Sequence, residues 1–129
     1  MKEFSLIFMS FGRKYGIPEE ANLVFDAREM PNPFRVKELT LLSGLDKEVK
    51  DYLKSFPQTQ ETIDSIVEYV SSFLKLVQAK NRKKYYVCIG CSGGRHRSVY
   101  ITEEVAKHFK DKYQVSVIHR DIMKDLENA

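Results

Sequence analysis

The sequence of 129 residues has little cysteine, no tryptophan and no long apolar run, and these shortages exclude several classes of protein. Its two cysteines, Cys88 and Cys91, have no second pair elsewhere to complete a zinc site or a disulfide framework. We therefore expect a reducing, cytoplasmic location and neither a metal nor a cofactor. No stretch approaches the roughly 20 apolar residues of a membrane span, and the apolar run near the amino terminus is too short for a signal peptide.

The composition is that of an ordinary globular protein, with 43% apolar and 30% charged residues. This length fits one domain over residues 1–129, large enough to bury a hydrophobic core without disulfides or a structural metal. The net charge of +3 is spread along the chain, so it favours anionic ligands only weakly.

Apolar runs alternate with segments of helical periodicity. Four runs predict buried strands, at residues 4–9, 22–27, 85–89 and 115–119, and three segments predict helices, at residues 45–56, 58–80 and 98–112. The residues after 119 are predicted to form a polar tail. This alternation predicts an α/β fold of three layers, with a mainly parallel sheet flanked by helices. In such sheets ligands bind beyond the carboxyl ends of the strands.

One loop, Gly90 to Ser98, joins a predicted strand to a predicted helix and has the sequence GCSGGRHRS. It contains most of the residues in this chain that are suited to binding or catalysis. Gly93 and Gly94 allow backbone N–H groups to converge on one anion at the helix amino terminus. The planar guanidinium of Arg97 can donate two parallel hydrogen bonds to a phosphate, and the hydroxyls of Ser92 and Ser98 can donate further ones.

The alternative is a glycine-rich turn with Arg95 and His96 solvated and Arg97 paired to a surface carboxylate. The density of glycine, arginine, serine, histidine and cysteine in nine residues favours the anion site.

Cys91 and Arg97 have the Cys-x5-Arg spacing of phosphatases that use a thiolate nucleophile. Asp26, at the end of a predicted strand, is then a candidate general acid, or it binds hydroxyl or amino groups of a ligand. A helix cap or an ion pair with Arg28 explains Asp26 equally well. Gly90 stands where those enzymes commonly carry histidine, so a binding module without catalytic residues is the favoured interpretation and the phosphatase is the alternative.

Several motifs together resemble the C-terminal domain of the RNase adapter protein RapZ family over nearly the whole chain. They are the loop with its continuation VYITEEVA, and the segments SFGRKYGIP, VFDAREMPNP and SGLDKEV. The resemblance implies a fold similar to a phosphofructokinase subdomain and a pocket for an amino-sugar phosphate, glucosamine-6-phosphate. Full-length members of that family also have an amino-terminal domain resembling a P-loop kinase, and we expect this chain to be a stand-alone C-terminal domain without it.

By motif position, the resemblance also implies which residues form the pocket. These are Asp26, Cys91, Ser92, Gly93, Arg95, His96 and Arg97, with the loop that contains Asn32 nearby. One departure is Phe34, where the family usually has histidine or another ring with a polar group.

Some members of the family bind small regulatory RNAs and present them to an RNase, so RNA and protein partners are further candidates. The RNA-binding members end in a basic tail, whereas Asp121, Asp125 and Glu127 make this tail acidic and poorly suited to phosphate backbones. A basic cluster at residues 80–84, with Arg13 and Lys14, fits a solvated helix end better than an RNA surface.

Three further side chains receive predictions. Cys88 lies between Val87 and Ile89 in a predicted strand and is expected in the core. His108 and His119 are expected at the surface. Predicted sheet edges also allow self-association into a homo-oligomer.

Overall fold

The computed structural model describes residues 4–78 and 83–129. Its sheet has four strands, all parallel, in the spatial order β2-β3-β1-β4. The strands are β1 (Ser5–Gly12), β2 (Leu23–Asp26), β3 (Lys84–Cys91) and β4 (Gln114–His119). All four predicted strands are confirmed, although β1 and β3 run further toward the loops than the apolar runs indicated.

The four α-helices are α1 (Lys47–Lys54), α2 (Pro57–Gln78), α3 (Arg97–Lys107) and α4 (Ile122–Glu127). The three predicted helices are confirmed in position, but α3 ends earlier because residues 108–113 form turns. Residues 79–80 of the second predicted helix lie outside the described residues. α4 was not predicted, since its segment is short and polar.

The larger hydrophobic core lies between one face of the sheet and helices α1, α2 and α3. Leu6, Phe8, Val87 and Ile89 share that sheet face, because their positions are partners or alternate along β1 and β3. On the opposite face, Met9, Phe11 and Cys88 form a smaller cluster with Ala21 and Tyr86. The all-parallel sheet with its helices is consistent with the predicted three-layer α/β class.

The sheet register determines which loops meet. Gly12 at the end of β1 is the partner of Cys91 at the end of β3, so the loop before α3 lies against the carboxyl end of β1. β4 ends on the other side of β1, and α4 follows it directly. Two loops and a short helix therefore converge at one edge of the sheet.

None of the described helices combines the length and the apolar content that crossing a bilayer requires.

Candidate functional site: a cationic pocket at the glycine-rich loop

The glycine-rich loop packs tightly against the end of β1. Gly94 has a φ of +77°, which side chains disfavour, and a Cβ at this position would lie 2.4 Å from the Gly12 nitrogen. The loop then enters α3, whose first N–H groups have no partner within the helix. The predicted strand, glycine loop and helix amino terminus are thus present in this order.

A cavity of about 180 Å³ opens at this loop. It brings together seven of the ten residues predicted for the site, with three others. Its lining residues are Lys14, Asn32, Phe34, Cys91, Ser92, Gly93, Arg95, His96, Arg97 and Asp125. Three of these side chains carry a positive charge and one carries a negative charge.

Arg95 is the most deeply buried cation of this pocket, with 1% of its side chain exposed. Its Nε lies 3.5 Å from Asp125 Oδ2, and its Nη1 donates a long hydrogen bond of 3.4 Å to the Asp125 carbonyl. Nε and Nη2 have no hydrogen-bond partner among the described residues. Unsatisfied buried donors cost folding free energy, so an anion that accepts from this guanidinium is favoured.

Arg97 connects the site to the loop after β2. Its Nη1 donates to the carbonyl oxygens of Arg28, at 2.6 Å, and of Met30, at 3.1 Å. Its Nε is buried and has no hydrogen-bond partner among the residues the structure describes. One part of the predicted phosphate fork therefore holds the chain around residues 28–30 instead of facing the cavity freely.

Cys91 is buried, with 3% of its surface exposed, and its sulfur is already hydrogen-bonded. The thiol donates to Ser98 Oγ at 3.2 Å, and the Gly94 N–H donates to Sγ at 3.3 Å. Ser98 and Gly94 contact the cysteine sulfur but do not line the cavity. Gly90 precedes this turn, and a Cβ there would lie 2.4 Å from the Phe11 ring, so any side chain at this position would have to displace that buried ring.

His96 lines the pocket with its imidazole largely buried. Burial lowers its pKa, and the neighbouring Arg95 charge lowers it further. Nε2 lies 3.1 Å from the Leu39 carbonyl oxygen, so the neutral ring donates from this nitrogen. At neutral pH the ring is therefore uncharged and adds no positive charge to the site.

Asp26 is the predicted site residue that the structure places elsewhere. It does not line the pocket, but adjoins a separate cavity beside Gln58 and Thr62 of α2. Its carboxylate accepts hydrogen bonds from the Arg28 guanidinium and backbone N–H, and these bonds lower its pKa. The ion pair with Arg28, one of the interpretations of this residue from sequence, is the one found.

The sequence of nearly the whole chain matches that of one protein family. Residues 4–123 match the sequence profile described as the RapZ C-terminal domain. The chain belongs to the RapZ C-terminal domain family. The resemblance inferred from the motifs is thereby confirmed.

Relatives of this family member in Bacillus are considerably longer proteins. Proteins named nucleotide-binding protein from Bacillus thuringiensis (strain Al Hakam), Bacillus mycoides (strain KBAB4) and Bacillus cereus (strain B4264) are each 41% identical to it over 121 residues. That alignment covers 94% of this chain but only 41% of each relative. The chain therefore spans about two fifths of the length of these relatives.

Three pocket residues were missed from the sequence: Lys14, Phe34 and Asp125. Phe34 was noted only as a departure from the family, yet its ring centroid lies 5.7 Å from Arg95 Cζ. Asp125 was assigned to an acidic tail, whereas α4 buries its side chain and that of Asp121. The sequence pattern that could have predicted this helix is the spacing of the two aspartates by four residues, which places them on one helical face.

The remaining predictions for single residues have mixed outcomes. Cys88 is fully buried, which raises the pKa of its thiol to about 12, and His108 is exposed. The prediction for His119 is wrong, because its side chain is only 12% exposed and bridges Ser10 Oγ, at 2.7 Å, and Glu103, at 2.6 Å. Lys80 and Arg82 of the basic cluster lie outside the described residues. Among the described residues, no group of three histidine, cysteine or carboxylate side chains could hold a metal ion.

Proposed function

We propose that this domain is a binding module without enzymatic activity that recognises a phosphorylated metabolite, with an amino-sugar phosphate such as glucosamine-6-phosphate as the best candidate. The single observation that carries the proposal is the buried Arg95 guanidinium, whose Nε and Nη2 lack hydrogen-bond partners among the described residues, in a side chain that lines the cavity. Membership of the RapZ C-terminal domain family supports a regulatory or adapter role for such binding.

The pocket suits a small, doubly charged anion. Lys14 and Arg97 add positive charge to that of Arg95, and the glycine loop adds backbone N–H groups at the amino terminus of α3. Its volume of about 180 Å³ lies below the roughly 300–1,000 Å³ typical of pockets for drug-sized ligands. A phosphate with a compact polar body therefore fits the site better than a large apolar ligand.

The direct test is calorimetric titration with glucosamine-6-phosphate, glucosamine and inorganic phosphate. We expect the sugar phosphate to bind more tightly than either part alone, because it fills both the anion site and the rest of the cavity. Arg95→Met removes a charge-assisted donor worth about 1.5–3 kcal/mol, so we expect affinity to fall by about tenfold or more.

Two further variants keep this test decisive. Lys14→Met removes another pocket cation, and because its side chain is 55% exposed we expect this variant to fold. It should therefore show weaker binding even if Arg95→Met fails to fold. Arg35→Met makes the same charge change at an exposed residue that does not line the cavity, and it should bind like the wild type. The proposal is overturned if the folded wild-type protein binds no sugar phosphate.

A thiol-dependent phosphatase is the second candidate, favoured by the placement of Cys91 and Arg97 around one cavity. Two features favour binding without catalysis over the phosphatase. Asp26, the proposed acid, lies outside the cavity, and the Cys91 thiol is engaged with Ser98. Hydrolysis of p-nitrophenyl phosphate separates the two functions.

RNA binding is a third candidate with less support. Asp121, which precedes α4, and Asp125, within it, are both buried, so residues 121–127 form neither a free acidic tail nor a basic one. A gel shift with RNA at rising salt tests this function, because phosphate contacts by lysine and arginine weaken steeply with salt. RNA binding at low salt that disappears at high salt would support it.

A further inference from the structure

Helix α4 delivers one carboxylate into a pocket that is otherwise cationic. The Asp125 side chain is 8% exposed, and its Oδ1 accepts from the Tyr15 hydroxyl at 2.8 Å and from Lys14 Nζ at 2.8 Å. These contacts fix the carboxylate at the edge of the cavity. The family match ends at residue 123, so this group comes from a part of the chain beyond it.

The second oxygen of Asp125 is less satisfied than the first. Oδ2 lies 3.5 Å from Arg95 Nε, which is longer than a good hydrogen bond between charged groups. It also faces the glycine loop closely, since a Cβ on Gly93 would lie 2.6 Å from it. Asp125 lines the cavity, and among the described residues Oδ2 has only this long contact with the buried guanidinium, so its lone pairs are available to a donor.

This juxtaposition matches a ligand that carries both signs of charge. The arginine donors and the helix terminus favour the phosphate, whereas a carboxylate beside them repels a ligand that is only anionic. We propose that Asp125 is a specificity-determining residue that accepts a hydrogen bond from an ammonium group of the phosphorylated ligand. This inference rests on the proposed function and adds which residue distinguishes an amino-sugar phosphate from its hydroxyl counterpart.

The competing explanation is that Asp125 serves only as counter-ion to the buried Arg95. The two explanations predict different effects of Asp125→Asn. Loss of a counter-ion changes the affinity for all phosphorylated ligands in the same direction. Loss of the negative charge that holds an ammonium group weakens only the ligand with the amine, because the asparagine oxygen still accepts but without charge assistance. The ligand without the amine binds equally or more tightly because the pocket becomes more positive.

The experiment compares glucosamine-6-phosphate with glucose-6-phosphate by calorimetry on the wild type, Asp125→Asn and Asp111→Asn. We expect the wild type to prefer the amino sugar, and Asp125→Asn to reduce this preference by about tenfold, the effect of losing one charge-assisted hydrogen bond. Asp111 is exposed and does not line the cavity, so its variant controls for net charge and should retain the preference.

The outcomes separate this inference from the proposed function. If both sugar phosphates bind the wild type and Asp125→Asn leaves their affinity ratio unchanged, the role of Asp125 is overturned and the proposed function stands. If neither binds the wild type, the proposed function fails and this inference fails with it. Should Asp125→Asn not fold, Tyr15→Phe removes the hydroxyl that holds Oδ1, and we expect a smaller loss of preference in the same direction; an unchanged ratio there overturns the inference.

Discussion

Gly94 and Gly12 lie against each other so closely that a Cβ on Gly94 would stand 2.4 Å from the Gly12 nitrogen. This contact locks the glycine loop onto the end of β1, and it requires the positive φ of Gly94. The shape of the pocket therefore depends on two backbones meeting without side chains between them.

Gly94→Ala should destabilise the fold through both strain and overlap. The positive φ costs about 1–2 kcal/mol for alanine, and overpacking adds about 1–3 kcal/mol. Gly16→Ala tests backbone strain alone, because Gly16, at φ +91° and ψ 149°, has nothing within 4 Å of its Cβ position. Urea denaturation gives both free energies of unfolding, and a loss in Gly94→Ala no larger than the strain of about 1–2 kcal/mol would contradict the close packing of Gly94.

The burial of His96 predicts a dependence of stability on pH. The unfolded chain takes up a proton near the ordinary pKa of 6.5, whereas the folded state resists protonation to lower pH. Stability is therefore complete above pH 6.5 and falls as the pH is lowered toward the folded pKa, by at most about 1.4 kcal/mol per pH unit. His96→Gln should lose this component, as measured by urea denaturation across this range. An identical slope in both proteins would contradict the prediction.

Arg97 is predicted to position the loop after β2 in addition to lining the pocket. Arg97→Lys keeps the charge but loses the Nη1 group that holds the carbonyls of Arg28 and Met30. We expect faster hydrogen exchange at residues 28–34 together with weaker sugar-phosphate binding. Lys107→Met, a change at an exposed residue at the end of α3, should alter neither measurement. Unchanged exchange in Arg97→Lys would show that the two carbonyl contacts do not hold this loop.

Cys91 is predicted to have a structural role in the loop. Serine preserves a donor toward Ser98 and an acceptor for the Gly94 N–H, so Cys91→Ser should bind sugar phosphate within a few fold of the wild type. We expect neither protein to release p-nitrophenol from p-nitrophenyl phosphate without metal. Turnover by the wild type that disappears in Cys91→Ser would instead establish the phosphatase.

Much of the fold followed from local sequence patterns. Strands β1 to β4 and helices α1 to α3 were predicted because apolar periodicity reports which face of a segment is buried. The strand, glycine loop and helix were predicted because each needs only neighbouring residues. Helix α4 was missed, since six mostly polar residues carry too little periodicity to stand out.

The sequence by itself determined strands β1 to β4, helices α1 to α3 and the glycine-rich loop between β3 and α3, because backbone conformation and periodicity are local properties. Only the tertiary structure decided which carboxylate joins that loop. Asp26 is the last residue of β2, where it is the partner of Gly90 in β3. Its carboxylate forms an ion pair with Arg28, two residues further along the chain. Asp125 follows β4 on the far side of β1, and only the docking of α4 against the end of β1 brings it to Arg95.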